Sequence, residues 1–299
     1  MVLRINYNYV AAFLSLCVVV AFCMLELAAP HVLGAEAAVE DENAVTVPVA
    51  MYHHVLDSTT RLGDYVISPA QFEEDLQYIQ KCGYTTISAA ELLDFTQNGA
   101  PLPENPIMIT FDDGYEGVHE YAYPLLKKYE MKAVISVIGR YTDLFSNPDE
   151  PRHLNYSHCS WEQLREMQQS GVFEIGNHTY DMHENGTNGK RYGIRIKKSE
   201  SPEEYRENLY DDVDALNGEI EEEIGVRPTV FAYPFGALCK ESKPLLTQMG
   251  FRMILTCEEK VNAFTPGMEE PIVVRRFNRA HRYSTYEYYT QKLGLQPKE

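Results

Sequence analysis

Basic residues are scarce in this sequence: 26 Lys and Arg stand against 44 Asp and Glu, a formal charge of −18. Nucleic-acid binders present a basic face, so that class of partner is set aside. An acidic surface keeps a protein soluble and tolerates neutral or cationic ligands. Cysteines are few and scattered, six in all, with no C-x-x-C pair. Cys17 and Cys23 lie near the N-terminus. Cys82, Cys159, Cys239 and Cys257 allow three full pairings, and isolated buried thiols serve equally well. There is one Trp, no repeat and no low-complexity tract. No apolar run reaches the ~20 residues that a membrane span prefers.

The longest such run, residues 10–25, follows Arg4 and carries no charge, and Ala35-Glu36-Ala37 offers a small-x-small cleavage site. Residues 1–37 therefore read as a secretory signal peptide or an uncleaved N-terminal membrane anchor. Both readings put the rest of the chain outside the cytoplasm, with membrane contact only through that anchor. Residues 38–44 read as an acidic linker, and the folded domain is expected over 45–299.

From Val45 onward, short apolar stretches alternate with helical patterns. Strands are expected over 45–54, 84–87, 107–111, 133–138, 172–175, 229–232, 253–256 and 272–274. Helix starts of the form Ser-x-x-Glu/Gln occur at Ser68, Ser88, Ser160, Ser201 and Ser284; their side chains satisfy free backbone donors in the first turn. This alternation predicts an α/β fold, specifically a distorted (β/α) barrel of about seven parallel strands. Strand carboxyl ends converge on one mouth in a barrel, which would gather His53, His54, Asp112, Asp113, the Asn177 region and Tyr233. Polar loops are expected over 143–160 and 184–199. The second holds Lys190, Arg191, Arg195, Lys197 and Lys198. It reads as a solvated loop, with contact to an anionic polymer as the alternative.

The strand at 107–111 runs into Asp112-Asp113-Gly114. Two adjacent carboxylates do not both ionise cheaply unless a cation or strong donors stand beside them. A solvated Asp-Gly turn is the plain alternative. Downstream, a second apolar strand ends at Ile175-Gly176, and His178 and His183 follow. Two imidazoles and one carboxylate are a common ligand set for a catalytic divalent metal, here zinc, cobalt, nickel or iron. A spacing of five does not fit one helical face, so a loop is expected to carry the histidines. One Asp would bind the metal. The other would take a proton from a metal-bound water, and the hydroxide would attack a carbonyl. Side-by-side carboxylates do not straddle a glycosidic bond, which argues against a glycoside hydrolase.

Thr110-Phe-Asp-Asp-Gly114, His178-Thr-Tyr-Asp-Met-His183 and Phe231-Ala-Tyr-Pro-Phe-Gly236 resemble the polysaccharide deacetylases of carbohydrate esterase family 4, the NodB-homology domain. Tyr52-His-His-Val55, Tyr123-Pro-Leu-Leu-Lys-Lys-Tyr129 and Trp161-Glu-Gln-Leu-Arg-Glu-Met167 extend the resemblance across most of the domain. It implies a catalytic domain over 45–299, one divalent metal ion, and removal of acetyl groups from an N-acetylated polysaccharide. Asp112 matches the base, and Asp113, His178 and His183 match the metal ligands. The backbone N–H of Phe235 matches the oxyanion donor. Tyr233, Pro234, His53 and His54 are further candidates near substrate, with one of the two histidines facing the mouth and the other the wall, and a structural hydrogen-bonding role as the alternative for each. The longer His–His spacing, and Ala232 where many members carry Arg, resemble the poly-N-acetylglucosamine deacetylases of exopolysaccharide systems. Arg275 or Arg276 is then expected to steady the base. His281, offset from the family's late catalytic His, is the candidate general acid. The family's late Trp motif is absent, so the groove for the acetyl methyl is expected to be built differently. Alternatives are a peptidoglycan or chitooligosaccharide deacetylase, an acetyl-xylan esterase, and a non-catalytic carbohydrate-binding module on the same fold.

Overall fold

Strand alternation organises the described residues, 43–297 of the computed structural model. The signal-or-anchor segment 1–37, most of the linker, Cys17 and Cys23 lie outside them. Nine strands form the main sheet: β1 (Val49–Tyr52), β2 (Thr85–Thr86), β3 (Pro106–Phe111), β4 (Ala133–Val137), β5 (Phe173–Asn177), β6 (Val230–Ala232), β7 (Met253–Leu255), β8 (Ile272–Val274) and β9 (Phe277–Asn278). Every pairing in it is parallel, in the order β8-β7-β6-β5-β4-β3-β1-β9, with β2 on β3. Only Arg275 and Arg276 separate β8 from β9. The extended segment 272–278 thus pairs with β7 through its first half and with β1 through its second, Val274 opposite Leu255 and Phe277 opposite Ala50. One split strand curls the sheet back onto its own beginning. Counted once, with β2 as a short side strand, it completes the expected distorted barrel.

Successive side chains of a strand face opposite ways. Here one way is the barrel interior, where Val49, Met108, Val134, Val230, Met253 and Val274 pack together. The other is the helical layer, which receives Ala50, Tyr52, Ile107, Ile109, Phe111 and Ile135. Inward positions advance two at a time to the mouth: Val49, Met51, His53; Met108, Thr110, Asp112; Met253, Leu255, Cys257; Val274, Arg276, Asn278. Met51, His53, Asp112, Cys257 and Asn278 accordingly line one cleft.

The helices are α1 (Pro69–Lys81), α2 (Ala89–Asn98), α3 (Tyr123–Lys128), α4 (Gly139–Ser146), α5 (Trp161–Gln169), α6 (Pro202–Ile224) and α7 (Ser242–Gln248). Ser68, Ser88, Ser160 and Ser201 cap α1, α2, α5 and α6 as their spacing predicts. Ser284 bonds Glu287 in the same way, but the turn it opens winds as a π-helix. Pro48 lacks an N–H and interrupts the first expected strand. Val45–Val47 consequently pairs antiparallel with Asn262–Phe264, outside the main sheet. Residues 143–146 belong to α4 rather than to a loop. The 184–199 loop has its charge partly cancelled: Arg191 forms a buried two-pronged pair with Glu200, the residue that follows the loop, and Lys190 meets Glu184 within it. Cys82, Cys159, Cys239 and Cys257 are free thiols.

A second buried ion pair ties the C-terminal segment to the barrel wall. Arg279 Nε and Nη2 donate to the two oxygens of Asp75 on α1 at 2.8 and 2.9 Å, and neither side chain is exposed. Tyr52 Oη and Thr285 Oγ1 complete the carboxylate's shell at 2.9 and 2.7 Å. Removing one partner strands a buried charge, a loss of about 3–5 kcal/mol. Asp75→Ala is therefore expected to lower unfolding free energy by that amount in urea titrations. A loss within ~0.5 kcal/mol, typical of a surface change, would contradict this account.

Candidate metal centre and active-site cleft

On a regular strand Asp112 and Asp113 would point to opposite faces. A sharp turn prevents this: Asp113 has φ 72° and Gly114 φ 79°. Asp is among the few side chains that tolerate the left-handed region, and glycine enters it freely. A Cβ on Gly114 would also come within 3.0 Å of Val137 Cγ1. Both carboxylates end up lining the same cleft.

Asp113 Oδ1 lies 3.4 Å from His178 Nε2 and 3.2 Å from His183 Nε2. The three donor atoms all fall within 4.8 Å of one another. Ligands on bonds of about 2.0–2.2 Å around a tetrahedral or octahedral ion sit roughly 3.0–3.4 Å apart, which both Asp113–His distances match, so the three residues could hold a divalent metal. His178 Nδ1 stands 2.8 Å from the Ala232 carbonyl. A proton held there leaves the lone pair of Nε2 facing the triad, the usual arrangement behind a ligating histidine. Burial acts to raise Asp113's pKa, but the two imidazole rings beside it hold it well below the ordinary carboxylate value.

Asp112 is held differently. Arg276 Nη1 and Nη2 each donate to one of its oxygens at 2.7 Å, and the arginine is wholly buried. Arg276 is itself fixed by the Thr256 carbonyl at 3.0 Å and Thr110 Oγ1 at 3.2 Å. Burial again works to raise the Asp112 pKa; the Arg276 charge, followed by His178, turns the balance and lowers it. Asp112 is thus a carboxylate kept ionised beside a metal-type triad.

This geometry and the sequence agree with the comparisons to known proteins. The family described as polysaccharide deacetylase matches residues 99–254, more than half of the 299 residues. The chain belongs to the polysaccharide deacetylase family. It is 25% identical over 223 residues to the poly-beta-1,6-N-acetyl-D-glucosamine N-deacetylase of Escherichia coli (strain K12), covering 69% of this chain and 33% of that one. The chain therefore spans about a third of that relative's length. It is 26% identical over 222 residues to the Staphylococcus aureus (strain MRSA252) protein of the same name, covering 74% of this chain and 71% of that one. Among solved structures, IcaB from Ammonifex degensii superposes with TM-score 0.67 at 27% identity, covering 84% and 97% of the two chains. A de-N-acetylase from Aggregatibacter actinomycetemcomitans superposes at 0.69 and 24% identity, covering 82% and 100%, and speaks to the fold alone.

Several deacetylase-like expectations need correction. Arg275 faces outward and pairs with Glu258 at 3.0 Å, because it is one residue out of phase with inward Val274 and Arg276. Tyr233 follows the outward Phe231; it is buried against it, and its hydroxyl meets Ser242 Oγ at 2.8 Å. Pro234 is buried in the turn behind it. His54 is stacked on Tyr115 with its Nε2 2.9 Å from the Leu154 carbonyl, and it lines a neighbouring cavity with Asp113, His183 and Phe235. His281 lies beyond the barrel, exposed, with Nδ1 2.8 Å from Gln71 Oε1. The cleft itself holds His53, whose Nδ1 has no hydrogen-bond partner among the described residues, and Phe235, whose ring centroid is 4.4 Å from that of His183. Burial lowers the pKa of His53, opposed by Asp113 and Asp112.

Sequence reading missed the support beneath the histidines. Asp212 on α6 accepts the backbone N–H groups of Tyr180 and Asp181 at 2.9 and 2.8 Å, in the loop between His178 and His183. Asn177 Oδ1 accepts the N–H of Thr179 at 2.7 Å, and its amide donates to Asn217 and to the Val213 carbonyl. An inward acid on α6 carries no motif, so only the fold reveals its target.

Two outcomes are expected. Arg276→Lys keeps the charge but loses the two-pronged geometry. Acetate release should fall about 10- to 100-fold, part of what a general base contributes, with metal content retained; Arg275→Ala should stay within about twofold of the parent. Full turnover in Arg276→Lys would refute the orienting role. Separately, Asp212→Ala should weaken metal binding about tenfold or more in chelator competition, the scale of lost outer-shell support. Unchanged affinity would show that the loop holds itself.

Proposed function

We propose that this chain removes acetyl groups from an extracellular N-acetylglucosamine polysaccharide, with a β-1,6-linked polymer as the leading substrate. The observation that carries the reading is the ionised Asp112–Arg276 pair next to the Asp113–His178–His183 triad. The names of the E. coli and S. aureus relatives support the choice of polymer. An extracytoplasmic location belongs to the same proposal, supported by the uncharged run at 10–25 and the Ala35-Glu36-Ala37 site.

Asp113, His178 and His183 would hold one divalent ion of the zinc, cobalt, nickel or iron type. Such an ion supplies Lewis-acid polarisation of the acyl group and acidifies water. Asp112 accepts the proton of the attacking water, oriented by Arg276. The Phe235 backbone N–H supplies a hydrogen bond to the acyl oxygen as charge gathers there. The C–N bond breaks and the sugar nitrogen takes a proton. His53 is the reading for its donor: it lines the cleft, its Nδ1 is free, and burial makes its protonated form a stronger acid than free imidazole. The products are acetate and an amino sugar.

The test is acetate release by the purified full-length protein from poly-β-1,6-N-acetylglucosamine, chitooligosaccharides, peptidoglycan and acetyl-xylan. Each is run after chelation and again after metal add-back, beside Asp112→Asn. The expected outcome is metal-dependent release, fastest from the β-1,6-linked polymer, and lower by about 100-fold or more in the variant. Faster release from another substrate would move the proposal to that class. No release from any, with metal bound, would replace it with a carbohydrate-binding module.

A further inference from the structure

Two sulfur atoms in the cleft have no part in the reaction. Cys257 stands two residues beyond the end of β7, and Met51 stands on β1 one inward step before His53. Both line the cavity of about 380 Å³ that also holds Asp112 and Asp113. Cys257 Sγ lies 3.9 Å from Met51 Sδ. The other described thiols have different surroundings: Cys82 and Cys159 are buried in the core, and Cys239 Sγ meets Tyr205 Oη at 2.8 Å. His53 lines the same cavity as the two sulfurs, and its buried Nδ1 has no hydrogen-bond partner among the described residues.

A thiol and a thioether side by side are donors that soft cations select and hard ones do not. Two sulfurs on bonds of about 2.3 Å to a three-coordinate ion stand about 4.0 Å apart, which the 3.9 Å separation matches. The imidazole nitrogen in the same cavity is a third donor of a kind such an ion accepts. Charge favours a monovalent ion. Burial raises the Cys257 pKa, opposed by Arg276, so the thiol keeps its proton until a metal displaces it. The thiolate then cancels one positive charge, and a neutral unit stands near the Asp112–Arg276 pair. Hard divalent ions gain little from a thioether and keep to the Asp113–His178–His183 triad. Cys257 also packs against the turn that carries the oxyanion donor: a Cβ at Gly236 would come within 2.9 Å of its Cβ and 3.3 Å of its Sγ. An ion held there crowds the acyl group and takes His53 out of proton transfer.

We propose that Cys257 Sγ and Met51 Sδ, with His53 as nitrogen donor, form a site for a soft monovalent cation of the Cu(I) type, separate from the triad and inhibitory when filled. As the Cu–S bond forms, the thiol proton passes to solvent and the copper stays Cu(I). Binding is independent of the deacetylase reading; inhibition rests on it. The probe is Cu(I) supplied without oxygen as its bicinchoninate complex, to full-length protein with zinc in the triad. The parent is expected to take from the chelator one copper that Cys257→Ser does not, and to keep its zinc. Met51→Leu, which conserves volume, and His53→Ala should each weaken that copper about tenfold or more, since loss of even an outer-shell partner costs this much. Acetate release by the parent should fall in step with copper occupancy, whereas Cys257→Ser should be insensitive to copper. Equal copper uptake in Cys257→Ser and the parent would overturn the site. Parent affinity in Met51→Leu or His53→Ala would overturn the three-donor set and leave a lone thiol. Copper uptake as expected, in a parent that releases no acetate even before copper is added, would support the site and overturn the deacetylase reading instead.

Discussion

A carboxylate and a guanidinium buried together inside the barrel set the terms for everything around them. Taking either charge out of water costs several kcal/mol, and their attraction repays this only with good geometry and full hydrogen bonding. Asp112 and Arg276 meet through two 2.7 Å bonds, and Thr110 and the Thr256 carbonyl take up further Arg276 donors. The arginine rides on the split strand that pairs with β7 on one side and β1 on the other. Joining the two edges of the sheet and fixing the candidate base are therefore one structural event. Ala232 stands on β6, and its carbonyl is spent on His178 instead. The charge that steadies Asp112 arrives from the last strand.

Much of this was legible in the sequence, and the rule that separates the correct expectations from the others is parity. The strands, the Ser caps, the Asp-Asp-Gly strand end and the two loop histidines were readable from local pattern. The choices left open, His53 against His54 and Arg275 against Arg276, are choices between neighbours on a strand. Met51 and Val274 face the interior, so His53 and Arg276 do as well; Arg275 turns away to Glu258, and His54 borders an adjoining cavity. The same count turns Tyr233 outward, in step with Phe231. Applying it required knowing which residues in an all-apolar strand face inward. A strand buried on both faces does not reveal that, because its two sides look alike in sequence. His281 was misplaced for a different reason. The chain leaves the barrel at Arg279, which turns out to Asp75, and a family position carried past that point no longer lies on a strand end.

What stayed hidden are the contacts between distant stretches that do not repeat. Asp212 lies more than thirty residues from the backbone amides it holds, on a helix whose pattern speaks only of buried and exposed faces. Asn278 meets Asp64 across most of the chain. Neither residue belongs to a motif with a fixed offset, so no spacing rule points to the partner.

Strain gives the final reason to regard the cleft as the working part of the molecule. Asp113, Thr179 and Phe235 all have left-handed backbones, with φ of 72°, 73° and 56°. For β-branched Thr179 that conformation is a true outlier. Such residues cost on the order of 1–3 kcal/mol each and persist only where the surroundings over-determine them. Those surroundings are visible. Asn177 accepts the Thr179 N–H, Asp212 accepts the next two, and α6 carries Asp212 and backs Asn177. Relaxing Asp113 towards an ordinary strand conformation would swing its carboxylate to the opposite face from Asp112, and relaxing Thr179 would change the path of the chain between the two imidazoles. The strained turns hold Asp112 and three metal-type donors in one cleft, and the long helix braces the turn between the two histidines.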